Sequence, residues 1–145
     1  MIKTVRVMNK SQVENYGLNL HTHNSVIISI SSRECNTAFI VPNSVNKITD
    51  VLKLQFNDTD SSERIYGGIE GTDVREITDF VKKYESSNKE VNLIVNCEAG
   101  QSRSAGVAAA IMKYLYNDDT PIFNNSKYTP NMLCYNKILY SLMGE

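Results

Sequence analysis

A thiol, a glycine three places on, a guanidinium six places on and a hydroxyl directly after it occur together in Cys97-Glu98-Ala99-Gly100-Gln101-Ser102-Arg103-Ser104. Each residue type has a role in handling an oxyanion. Gly100 adopts backbone angles closed to other residues, so the run can curl until its amides point inward. Arg103 offers a planar fork that matches two oxygens of a phosphate. If a helix begins near Arg103, the positive end of its dipole faces the same point. The field that holds an anion also favours Cys97 as a thiolate, and a thiolate beneath a phosphoryl group is an in-line nucleophile. With 3 cysteines, 7 glycines, 5 arginines and 14 serines in 145 residues, the combination arises by chance in about one such chain in two thousand.

Such a loop needs a strand to deliver it and a helix to back it. Val91-Asn-Leu-Ile-Val-Asn96 is an apolar strand-like run ending at the cysteine, and Ser104 to Tyr116 is an alanine-rich stretch with Val107, Ile111 and Leu115 on one stripe. Upstream, Ile2–Met8, Val26–Ile30, Ala38–Val41 (closed by Pro42) and Val51–Phe56 read as strands. From Asp73 to Glu85, Val74, Ile77, Val81 and Tyr84 fall at helical spacing, with Asp73 and Glu76 near the start and Lys82 and Lys83 near the end. Thr129-Pro130 reads as an N-cap with proline at the first helical position, opening a last helix. Strands followed by helix, strand, helix and helix predict an α/β domain whose central, mostly parallel sheet is flanked by helices.

The loop and its surroundings resemble the signature region of the cysteine-dependent protein tyrosine and dual-specificity phosphatases, His-Cys-x-x-Gly-x-x-Arg-Ser/Thr. The resemblance implies a tyrosine-phosphatase-like fold and a set of roles. Cys97 would form a phosphocysteine, and Arg103 would hold the phosphate and the transition state. The backbone of Glu98, Ala99, Gly100, Gln101 and Ser102 would complete the cradle, and Ser104 would hydrogen-bond the departing sulfur. Such enzymes also place an aspartic acid on a loop after a preceding strand. Phe56-Asn-Asp58-Thr-Asp60 follows a strand-like run, with Asp58 standing 39 residues before Cys97. Asp58 is the first choice for general acid and Asp60 the second; a positioned acid adds about 10²–10⁴ in rate. The Pro130-Asn131 start of the last helix resembles small bacterial and phage members. One position departs from the pattern. Asn96 stands where the family has His, and an amide can donate a hydrogen bond but carries no charge, which predicts a less acidic thiol and weaker turnover.

Composition sets the remaining bounds. A length of 145 residues suits one domain over 1–145. A net charge of −1 and a pI near 6.1 argue against general nucleic-acid or anionic-membrane binding. There is no apolar run long enough to span a bilayer and no secretory pattern at the start, so a cytoplasmic location is expected. Three cysteines without framework spacing are expected to be reduced thiols, with Cys35 and Cys134 in packing or surface roles. His21 and His23 do not make a metal site by themselves; no metal and no cofactor is expected. Tyr66-Gly-Gly-Ile-Glu-Gly71 reads as a flexible loop. The function expected is phosphomonoester hydrolysis by a monomer, on a phosphorylated protein or a small phosphomonoester. Two alternatives stand beside it: a weakly catalytic anion-binding module on the same fold, and a sulfur-transfer enzyme of the rhodanese type, whose loop is one residue shorter.

Overall fold

Side-chain alternation and parallel pairing set the frame. The computed structural model describes residues 1–16, 24–33 and 48–144. Four strands, β1 (Ile2–Met8), β2 (Asn24–Ser31), β3 (Ile48–Gln55) and β4 (Val91–Asn96), form one sheet in the order β1-β4-β2-β3. All three pairings are parallel. A parallel sheet is normally covered on both faces, so its inner strands are apolar and continuous. The two inner strands obey this: β2 is buried from Ser25 to Ser31 and β4 at every residue except Asn92. The edge strands β1 and β3 are only partly buried.

Alternation then divides the core. On β2, Val26, Ile28 and Ile30 join the larger cluster, whereas Ile27 meets Val13 and Ile94 in a smaller one. The larger cluster is built with α2 (Gly71–Glu85), α3 (Arg103–Tyr116) and α5 (Met132–Leu142). The smaller one includes Val13 of the short α1 (Lys10–Tyr16). Another short helix, α4 (Thr120–Phe123), follows α3. The α/β architecture is therefore the expected one.

Helix ends explain where the elements fall. α2 begins two residues before the expected Asp73, because Glu70 and Asp73 form a reciprocal capping box. Helix α3 is buried at every residue from Arg103 to Met112, and its small residues Ala105, Gly106 and Ala108–Ala110 permit this enclosure. It closes on Asn117, left-handed at φ 55°, whose amide bonds Lys113 O. The last helix does not begin at Pro130. Asn131 is its cap, its side chain accepting from Cys134 N, and Thr129 is not. The reason is tertiary: Thr129 N bonds Gln101 O and Asn131 N bonds Ser102 O, which holds 129–131 extended along the loop before α3. Helices α1 and α4 were not foreseen. The expected strand at 38–41, the pair His21 and His23, and Cys35 lie outside the described residues.

Tyr66–Gly71 also differs from expectation. A 3-10 turn at Arg64–Tyr66 leads into Gly67, Gly68 and Ile69, all buried. A Cβ on Gly68 would lie 2.7 Å from the Thr59 side chain, so Gly67, Gly68 and Ile69 pack against the β3 exit, whereas Tyr66 and Gly71 at the ends of the stretch are exposed.

Candidate active site

Because every strand runs the same way, β1, β2, β3 and β4 all end at one rim, where ligands of open α/β sheets gather. Cys97 follows β4 there and is 2% exposed. Residues 98–102 bend continuously into α3. Gly100 sits at φ +66°, and a Cβ on it would lie 2.8 Å from Asn9 N and 2.9 Å from Met8 C. Two independent constraints thus require glycine: backbone handedness and the backbone packed behind it. Lys10 N also donates to Glu98 O, so the end of β1 and the start of α1 support the loop from outside.

The loop carries unused donors. Among the described residues, no carbonyl or side chain accepts from the backbone amides of residues 98–103. The helix cap does not consume them either: Ser102 stands at the N-cap of α3, but its hydroxyl donates to Asp58 Oδ1 at 2.8 Å instead. Arg103 is 6% exposed. Its Nη1 is fixed on Phe56 O at 2.9 Å and Ser32 Oγ at 3.2 Å, while its buried Nε has no partner among the described residues. A buried, unpaired guanidinium nitrogen costs free energy unless a ligand takes it. Amides without acceptors, a helix N-terminus and a guanidinium nitrogen without a partner are the groups from which an oxyanion cup can be built. Cys97 Sγ and Ser104 Oγ lie 3.0 Å apart within it.

Of the two acid candidates, Asp58 is the one held against this loop. Its Oδ1 accepts from Ser102 Oγ and, at 2.9 Å, from Asn131 Nδ2. Asp60 is exposed and makes no comparable contact among the described residues. Asn57 fastens the loop from the other side. Its Oδ1 accepts from Arg33 N at 3.0 Å, its Nδ2 donates to Tyr66 O at 3.1 Å, and its backbone N donates to Gly67 O. Arg33 also pairs with Glu70 at 2.8 Å, which holds that carboxyl below its ordinary range.

The remaining expected residues divide cleanly. The side chains of Glu98, Ala99 and Gln101 are exposed. Asn96 is buried, and its Oδ1 finds no partner among the described residues. Cys134 is buried, and burial together with the neighbouring Asp58 carboxylate pushes its thiol up to about 12. Residue types and spacing gave no sign of Ser32, Phe56 O or Asn57 at the site. Asn131 was visible only as the start of a helix. Among the described residues, no group of three His, Cys, Asp or Glu side chains could hold a metal, and no helix is long and apolar enough to cross a membrane.

Comparison with known proteins bears on the fold. The family model of the Rit1 DUSP-like domain matches residues 71–139, just under half of the chain, and not the small bacterial or phage type that the sequence resemblance implied. No curated protein matches. Solved structures match over nearly the whole chain. The human tyrosine phosphatase-like serine/threonine/tyrosine-interacting protein is 18% identical with a TM-score of 0.62, covering 95% of this chain and 91% of that one. PTPMT1 in complex with PI(5)P is 17% identical with a TM-score of 0.54 (97% and 91% covered). Human DUSP28 is 12% identical with a TM-score of 0.54 (97% and 92% covered). With its loop geometry and its parallel sheet, the chain has the α/β fold of the tyrosine and dual-specificity phosphatase-like proteins.

Proposed function

We propose that the chain is a cysteine-dependent phosphomonoester hydrolase of the tyrosine and dual-specificity type. The observation that carries the reading is the cup itself: unaccepted amides at 98–103 and the unpaired Arg103 Nε, beside the Cys97 sulfur. A phosphoryl group bound there gives its oxygens to those donors. The Cys97 thiolate attacks phosphorus, and the bond from phosphorus to the ester oxygen breaks. Asp58 gives its proton to that leaving oxygen. Water then attacks the phosphocysteine, Asp58 takes back a proton, and the P–S bond breaks to release phosphate. Ser104, 3.0 Å from the sulfur, stabilises the departing thiolate. The substrates are phosphotyrosine and phosphoserine or phosphothreonine in proteins, or small phosphomonoesters, handled by a monomer in the cytoplasm.

Asn96 favours a second reading, a module that binds a phosphorylated ligand and turns it over weakly. Hydrolysis of para-nitrophenyl phosphate by the wild type and by Cys97→Ser, with thermal melting in orthophosphate, separates the two. The enzyme reading expects turnover that falls at least about 10³-fold in Cys97→Ser. No wild-type turnover, with stabilisation by phosphate intact, leaves the binding module. Neither turnover nor stabilisation removes both.

A further inference from the structure

Asn131 spends its whole side-chain amide on two segments, α5 and the loop after β3. It is 6% exposed. Its Oδ1 accepts from Cys134 N at 3.0 Å and so caps α5. That bond fixes the amide's orientation and turns Nδ2 toward the acid loop, where it donates to Asp58 Oδ1 at 2.9 Å and Thr59 O at 3.0 Å. The backbone is equally committed. Asn131 N donates to Ser102 O, and Asn131 O accepts from Tyr135 N. Asn131 O also lies so close to Gly106 that a Cβ there would approach within 2.3 Å, so α3 holds the residue from behind.

We propose that Asn131 is a positioning residue that, with Ser102, fixes which oxygen of Asp58 delivers the proton. The proposal rests on the phosphatase reading. Two donors, Ser102 Oγ and Asn131 Nδ2, converge on Oδ1. An oxygen that accepts two hydrogen bonds has both lone pairs engaged, so the neutral acid carries its proton on Oδ2. Oδ2 takes no hydrogen bond from the described residues and is the one free to face a leaving group. Thr59 O, held by the same Nδ2, stops the loop from rotating about Asp58. Asn131 thus acts through Asp58 and does not touch the substrate.

The test is the dependence of kcat/KM on leaving group. Phenyl phosphate needs a proton on its departing oxygen, whereas 2,4-dinitrophenolate leaves without one. Asn131→Asp keeps the cap oxygen for Cys134 N and replaces the donor facing Asp58. Asn131→Ser keeps a shorter cap and also removes that donor, without adding charge. Both are expected to lose about 10–100-fold on phenyl phosphate and less than about threefold on 2,4-dinitrophenyl phosphate. In an Asp58→Asn background, Asn131→Ser is expected to change phenyl phosphate turnover less than about twofold, because its effect passes through that carboxyl. Equal losses on both esters, no loss on either, or full additivity with Asp58→Asn each overturn the proposal. Should the wild type show no Cys97-dependent turnover of any aryl phosphate, the phosphatase reading itself falls, and the inference with it.

Discussion

Two loops at the same rim of the sheet treat their polar groups in opposite ways. The loop after β4 leaves the amides of 98–103 and one guanidinium nitrogen without partners among the described residues. The loop after β3 spends almost everything: Asn57, Asp58 and Thr59 are all bonded to other segments. The contrast follows from what each must do. A site for an external anion has to keep its amide donors free, so its shape comes from sterics, with Gly100 against Met8 and Asn9, and from its carbonyls, since Glu98 O, Gln101 O and Ser102 O each accept from another segment. A group that transfers a proton has to be aimed, so its loop is tied down through internal hydrogen bonds.

The comparison can be broken most severely at its steric side. Gly100→Ala combines a left-handed backbone with a methyl 2.8 Å from Asn9 N. A loss of about 2–4 kcal/mol in stability is expected, together with loss of stabilisation by phosphate. Denaturant unfolding with and without phosphate measures both. A smaller effect is expected on the tethered side. Asn57→Ala removes the bonds to Arg33 N and Tyr66 O, at a cost of about 1–2 kcal/mol. It is expected to slow phenyl phosphate more than 2,4-dinitrophenyl phosphate while leaving stabilisation by phosphate intact. If phosphate no longer stabilises Asn57→Ala, the two loops are not separable in this way.

The smallest effect sharpens the contrast by moving away from the rim. Near the start of β3, Tyr84 OH donates to Asp50 Oδ2 at 2.5 Å, with Lys83 alongside at 3.3 Å. The Tyr84 hydrogen bond is the main cause that holds the Asp50 carboxyl below its ordinary value of 3.8. Because the folded-state value is depressed, the bond contributes its full stability above the ordinary carboxyl value of 3.8, and that stability is lost as pH falls from there through the folded titration. Tyr84→Phe is expected to cost about 0.5–1 kcal/mol at pH 7, given partial exposure. The difference from wild type should vanish in acid, with turnover unchanged at pH 7. Paired melts from pH 7 to 2.5 and a neutral-pH assay check this.

How much of this was readable in the residues depends on sequence distance. The Cys97–Ser104 run lies within eight consecutive positions, so its residue types and its glycine requirement were visible before any fold was known. The inner strands announced themselves as apolar runs, and α2 and α3 through apolar periodicity. The tethers did not, since Asn131 reaches Asp58 across 73 positions and Arg103 reaches Phe56 across 47. Neither residue type nor local pattern encodes such meetings. Helix α1 escaped because its sequence, Lys-Ser-Gln-Val-Glu-Asn-Tyr, holds one aliphatic residue, Val13; the signal that could have found it is the reciprocal Asn9–Gln12 pair at its start. The start of α5 was misplaced because Thr129-Pro130 fits the local cap pattern, whereas packing along the loop before α3 makes Asn131 the cap.

Arg103 stands at the head of the most enclosed helix, with one arm already anchored on Phe56 O and Ser32. A long, flexible side chain ordinarily surrenders about 1.5–2 kcal/mol of rotamer freedom when it seizes a ligand. Here that freedom was relinquished during folding. An arriving oxyanion therefore meets a gripping group that is set in advance, and more of the contact energy survives as affinity.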